Sequence, residues 1–577
     1  MTNHSLTSTT SNADSVHVFH TVHTVDSLVS TWQPNNMDNM DAMAPRFPNT
    51  SEVTTGPSPT LNGLPTEILC MVFGHYVPHP WAKLKSDAPE PYLSQECQSL
   101  HWSKRRSSLN RKDLVSLCLT SKRLKAIAQP IIYRKFPLGF GHLNSSLTCR
   151  CLASFLRTMA ERRDLAKLVN GIYIHPMLPV NNIDKKRAQE VLDQVARGEI
   201  IQLAEFMAHL PDLQHPSTPS RVIASALLSV LLTILPNLDH FGGEVGHVVT
   251  SVNVSIRRSA MRAAGLDRLQ LETIDIFSKD QPTPCHRIIR PRPKRNPYAY
   301  AGKILNLAPG IKTLNLHRCN DSSWNFAMGS KLQTLRITQT EIGKDHFKAL
   351  LSSCANLNTF VYEAVMPTED TFRNFVYDFN DAVSHYLQPS DAVNKLAHLS
   401  GTLKSLHLDF RGWELRQVLG RATYDLISSL AQFVVLEELS ISSNAIYLEE
   451  RHKVNPSVPE NEQRLAQVLP PNITTLRLCG VSQFTTPRLQ EGLLYLTDSI
   501  SRGEFPKLKQ VRCYESVDKP STSWKDWQLR RTSIKTRFSM VGVDFAYDSD
   551  LEISDAMALA GGPPFGESDS EGEGNYF

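Results

Sequence analysis

Arg336, Arg477 and Arg512 occupy the same place in a recurring six-residue pattern, and His407 shares that place. Arginine forks pair with carboxylate and phosphate. A row of such side chains suits an acidic or phosphorylated segment of another protein, although the same arginines could also do no more than solvate their surface. These four residues are the candidate substrate-binding set. Little else in the chain has the spacing that covalent chemistry needs. There is no GxSxG elbow, no GxxxxGK[ST] loop, no HExxH and no paired CxxC. Cys149 and Cys151 lack a second pair of ligands and read as buried or free thiols. His17, His20 and His23 recur every three residues, but in a polar tract. The expectation is a protein without catalytic residues, metal site or cofactor; an enzyme with an unfamiliar site is the outlying alternative.

The pattern that carries the arginines is apolar-x-x-apolar-x-apolar. It spans Ile311–Leu316, Leu332–Ile337, Leu357–Tyr362, Leu403–Leu408, Leu436–Ile441, Ile473–Leu478 and Leu508–Cys513, with earlier copies at Leu271–Ile276 and, more weakly, Val169–Ile174. Alternating apolar residues predict strands. Helical patterns at 346–354, 424–433 and 461–469 fall between them. Strands that alternate with helices should be parallel. If the copies align, one column holds Thr273, Thr313, Thr334, Thr359, Ser405, Glu438, Thr475 and Gln510. The next holds Asp275, Asn315, Arg336, Val361, His407, Ser440, Arg477 and Arg512.

A different pattern lies upstream. Leu64, Ile68, Leu69, Val72, Phe73 and Tyr76 repeat at helical spacing behind Pro65, which suits a first helical turn. A second helix is expected from Asp113, as N-cap, to Pro130, with Leu114, Leu117, Cys118, Leu124, Ile127 and Ala128 on one side and an extended run over Ile131, Ile132 and Tyr133. Two short helices with wide apolar stripes cannot cover both stripes on each other, and what stays exposed is a docking surface.

The upstream residues resemble the F-box. Its opening matches at Leu64, Pro65, Glu67, Ile68, Leu69, Val72 and Phe73, and its closing part at Leu114, Leu117, Ser121, Lys122, Arg123, Leu124 and Ala128, with an exit like that of many fungal members at Pro130–Arg134. Residues 77–112 form an insertion between the halves. The downstream pattern resembles the leucine-rich repeat, with starts at intervals of 21 to 46 residues and the ninth-position Asn/Cys kept only at Cys319 and Asn444. That resemblance implies an irregular βα solenoid whose two columns face outward on a concave sheet. Together the resemblances imply the substrate-recognition subunit of an SCF-type cullin–RING ubiquitin ligase. Leu64, Pro65, Ile68, Leu69, Leu117 and Leu124 would contact the ligase adaptor, and through it cullin, or support that contact; the repeat domain would hold a protein substrate. The alternatives are a helical hairpin without a partner, an ordinary α/β domain, and an interaction scaffold of the same fold.

The expected layout is a Ser/Thr-rich disordered arm (1–60), an F-box-like module (61–136), a mixed α/β region (137–300), a solenoid (301–545) and an acidic disordered tail (546–577). With 61 Lys+Arg against 57 Asp+Glu, no field suited to nucleic acid is expected. No apolar run reaches membrane-spanning length. Scattered cysteines and the lack of an early basic region point to a cytoplasmic or nuclear protein.

Overall fold

In the computed structural model the described residues are 61–74, 113–138, 145–174, 189–190, 193, 227, 230–244, 268–277, 305, 307–317, 331–340, 342–364, 387–410, 425–447, 462–481, 486–515 and 524–547. Residues 1–60, the insertion at 77–112, the basic Pro-rich link at 286–295 and residues 548–577 lie outside them; the first two residues of the expected acidic tail, Ala546 and Tyr547, belong to a strand.

Twelve strands form one parallel sheet in sequential order: β1 (Lys135–Leu138), β2 (Gly171–Ile174), β3 (His240–Glu244), β4 (Thr273–Phe277), β5 (Thr313–His317), β6 (Thr334–Thr340), β7 (Thr359–Ala364), β8 (Ser405–Asp409), β9 (Glu438–Ser442), β10 (Thr475–Val481), β11 (Gln510–Glu515) and β12 (Asp544–Tyr547). All nine copies of the six-residue pattern become strands. The sheet runs unbroken from Lys135, so position 300 marks no break in it. Three strands escaped the pattern. Pro137 interrupts β1, Gly243 replaces the last apolar residue in β3, and Gly542, at φ +75°, replaces the first apolar residue before β12.

Strands β3 to β11 are each tied to the previous turn in the same way. Two successive N–H groups share one carbonyl: Lys312 and Thr313 on Glu272, Glu437 and Glu438 on Lys404, Thr474 and Thr475 on Glu437. Alternate strand residues then face a single apolar core. Leu314, Leu335, Phe360, Leu406, Leu439, Leu476 and Val511 form one row of it. The helices pack on the same side. They include α4 (Ser145–Glu161), α6 (Lys344–Ser352), α7 (Pro389–Leu396), α8 (Arg464–Val468), α9 (Thr486–Ser501) and α10 (Trp524–Met540), beside the short α5 (Arg163–Ala166). Phe347, Leu350, Val393, Leu465, Leu493 and Phe538 are their core residues. The expected helix at 424–433 is not one. Residues 425–430 are irregular, because Ile427 N and Leu430 N donate to Ala445 O and Val468 O on neighbouring turns rather than to their own. Ile427, Leu430 and Phe433 nevertheless fill the core as a helix would.

Gly492 of α9 sits directly under Tyr447, so a Cβ there would collide with the phenol oxygen. Gly492→Ala should therefore destabilise by about 1–3 kcal/mol through overpacking, against the ~1 kcal/mol that alanine gains in a helix. Adding Tyr447→Phe should recover most of the loss in urea unfolding; no recovery would show that the collision is not the cause.

The upstream helices are α1 (Thr66–Gly74), α2 (residues 113–120) and α3 (Lys122–Arg134). Two corrections apply here. Ser121 splits the expected single helix in two, because its hydroxyl accepts from Leu124 N at 3.1 Å and caps α3; Asp113 lies inside α2 rather than before it. Pro130 does not end α3, which runs on through Ile131, Ile132 and Tyr133. An internal proline costs one backbone hydrogen bond; burial of Ile127, Ala128 and Ile132 offsets it. Among the described residues no helix is long and apolar enough to cross a membrane.

Candidate functional site

Two surfaces merit the name. The first lies on α1 and α2. Leu69, Phe73, Leu114, Leu124, Ile127, Ala128 and Ile132 form a small core separate from that of the sheet, with Leu64, Leu117, Cys118 and Ile131 packed against it. Tyr133 touches both cores, at the point where α3 passes straight into β1. Arg123 Nη2 donates to Leu64 O at 2.6 Å and pins the start of α1 to α3. Among the described residues, the seven buried ones leave apolar side chains of α1 and α2 open. Ile68, Met71 and Val72 recur at helical spacing on the open side of α1, with Met71 65% exposed; Val115 and Leu119 lie open on α2, with Leu119 83% exposed.

Among the six residues expected to dock or support docking, Pro65 and Ile68 are exposed, Leu64 and Leu117 are partly buried, and Leu69 and Leu124 are interior. Leu69 and Leu124 can only support. The exposed positions that sequence reasoning passed over are Met71, Val115 and Leu119. Met71 was legible as the i+3 member of the set Ile68, Met71 and Val72; Val115 and Leu119 were hidden by assigning the Leu114–Leu117 side as the face that matters. Burial raises the Cys118 thiol, with Lys125 opposing it.

The second surface is the polar face of the sheet. Strand register places the expected columns as aligned: Thr273, Thr313, Thr334 and Thr359 pair in succession, and so do Asp275, Asn315, Arg336, Val361, His407, Ser440, Arg477 and Arg512. The outward-facing expectation needs correction. Asp275, His407 and Ser440 are buried, each against a polar side chain of a neighbouring strand: His240 and Asn315, Glu363, and Cys479. The arginine ridge is also less available than its charge suggests. Arg477 Nη1 stands 3.9 Å from Glu438 Oε2, and Arg512 donates to the Asp544 carboxylate on β12. His407 Nε2 lies 3.6 Å from Glu363 Oε1. Arg336 is half-buried. The register brings Arg336, His407, Arg477 and Arg512 into one line, with carboxylates of adjacent strands beside three of them.

Arg512 holds the Asp544 carboxyl below its usual range, with minor opposition from partial burial. A depressed carboxylate pKa stabilises the fold above the unfolded value, and that share is lost as pH falls through the folded one. Since Asp544 is mostly exposed, the share is about 0.2–1 kcal/mol. Arg512→Ala should therefore lower stability by that amount at pH 7 and have little effect near pH 2, as read by unfolding at both pH values.

Among the described residues no group of three His, Cys, Asp or Glu side chains is placed to hold a metal ion. The chain matches no family model and no curated protein.

Proposed function

We propose that the protein is a substrate receptor of an SCF-type cullin–RING ubiquitin ligase, in which α1–α3 act as an F-box-like docking module and the parallel sheet is an irregular leucine-rich-repeat-like solenoid that captures a protein substrate. The observation that carries this is the open apolar side of α1 and α2: Ile68, Met71, Val72, Val115 and Leu119, on a small three-helix unit with its own core. Contiguous exposed apolar side chains on a rigid unit mark a surface that another polypeptide covers. The resemblance of residues 64–134 to the F-box names the ligase adaptor as that polypeptide. Direct passage from α3 into β1 supports the role further, since a docking unit without a hinge holds a bound substrate at a fixed place. The contribution is proximity, not bond making.

Pull-down of the full chain should recover adaptor and cullin, and Leu64→Ala with Pro65→Ala should reduce recovery. If neither is recovered where a known F-box protein brings down both, the reading reverts to an interaction scaffold without a ligase.

A further inference from the structure

The members of the arginine ridge are not equally committed. Arg512 has acceptors: its guanidinium donates to the Asp544 carboxylate, to Asp544 O at 3.2 Å and to Val511 O at 3.3 Å. Arg477 pairs with it in register on β10 and differs. Among the described residues none accepts a hydrogen bond from Arg477, and its ionic contact is Nη1 to Glu438 Oε2 at 3.9 Å. Arg162 and Arg502 reach their carboxylates at 2.6 and 2.7 Å. The difference is visible on β8. Ser405 Oγ donates to the same Glu438 oxygen at 3.3 Å, so this carboxylate is shared between β8 and β10 and does not close on the guanidinium.

A guanidinium carries five N–H donors and no acceptor. Where it is largely desolvated, unused donors are costly. The Arg477 side chain is 17% exposed, whereas that of Glu438 is 48% exposed. No Arg477 nitrogen is among the polar atoms both closed to water and unpaired. Its N–H groups therefore open on solvent, and the Glu438 carboxylate marks the side of approach. On one flank stands Arg512, about 4.8 Å away across the strands. On the other stands Ser440, which is neutral and buried. Two neighbouring cations thus have one close carboxylate, Asp544, and it lies on the far side of Arg512. A group with two negative oxygens matches the guanidinium fork and lowers the repulsion between the two arginines. A cationic segment would meet both charges and be excluded.

We propose that Arg477 receives one oxyanion, a carboxylate or a phosphate, of the polypeptide held on the sheet, and that Glu438 is the built-in competitor this group displaces. The site rests on the reading of the sheet as the substrate-holding face, and not on whether α1–α3 dock a ligase adaptor.

The test uses the full chain in thermal-unfolding titrations at neutral pH. The probes are acetate, for a carboxylate source, and methyl phosphate, for a phosphorylated one, with ionic strength held constant by sodium chloride. A saturable rise in the unfolding midpoint is expected, and the stronger probe identifies the source. Arg477→Gln should leave the unliganded chain nearly as stable, since it removes no close hydrogen bond. It should weaken the response about tenfold or more, the effect of one lost hydrogen bond to a charged group. Glu438→Gln works in the opposite sense. It removes the competing charge and should strengthen the response about two- to fivefold, the scale of an exposed ion pair. No saturable shift with either probe, an equal shift in Arg477→Gln, or a response that Glu438→Gln does not raise would overturn the site. Failure of adaptor capture would remove the ligase and leave each of these outcomes unchanged.

Discussion

Asp275→Ala is expected to destabilise the protein by about 3–5 kcal/mol, because it strands the buried His240 and the half-buried Asn315 at once. His240 and Asn315 both direct a nitrogen at the Asp275 carboxylate from the strands on either side of it, His240 in a buried setting and Asn315 in a half-buried one. Removing the acceptor leaves both groups unpaired, at about 1–3 kcal/mol for a buried donor and less for the half-buried one. The diagnosis rests on coupling. His240→Ala alone should cost less. The double variant should cost less than the sum of the two singles by about 0.5–3 kcal/mol, as for residues in one network. Urea unfolding of the four proteins gives the cycle. Additive effects would mean that the His240–Asp275 contact contributes nothing, and that the loss comes from altered packing.

The second large effect separates docking from folding within one helical unit. Met71→Glu with Leu119→Glu should leave unfolding of the chain nearly unchanged, since both side chains face outward. The same pair should reduce adaptor and cullin capture by tenfold or more, since a charge buried at the centre of an apolar contact costs at least ~1.4 kcal/mol. Leu69→Ala should do the opposite. Leu69 is fully buried in the small core, and leucine truncation in a core costs about 2–5 kcal/mol. With seven buried residues among those described to hold it, that unit should lose its helices before the sheet melts. Circular dichroism and capture measured on the same samples separate the cases. Equal capture by the double-Glu variant would show that this face is not the docking surface.

Most of the sheet was legible because its signal is local and repeated. The alternating apolar residues of a strand fix which side faces the core, so one aligned motif predicts both strand and column. The line from Asp275 to Arg512 needed nothing more. Strands failed to appear where glycine or proline stood at a patterned position, as at Gly243, Gly542 and Pro137, since other contacts of the neighbouring strands supply the pairing. Those misses had chemical consequences. Without β3, His240 could not be seen beside Asp275; without β12, Asp544 could not be seen beside Arg512. The ridge therefore looked more cationic in sequence than its surroundings make it. Glu438 was visible in the first column, one strand from Arg477, and the diagonal contact between columns was the signal to follow. On the helical unit, periodicity identified the apolar residues but not which of them lie inside. That depends on the break at Ser121 and the continuation past Pro130, both decided by packing rather than by local preference.

Oxidation of Met71 by dilute peroxide tests the central claim most directly, because it reports on whether this face is covered. In the isolated full chain Met71 should oxidise at the rate of an exposed methionine. With purified adaptor and the amino-terminal part of cullin present, it should be protected several-fold as a 1:1 complex forms, measured by mass spectrometry of the peptide that contains it. Slow oxidation in the isolated chain would mean that the face is already covered by the protein itself, and unchanged oxidation with adaptor present would mean that the adaptor does not cover it; either result contradicts the account.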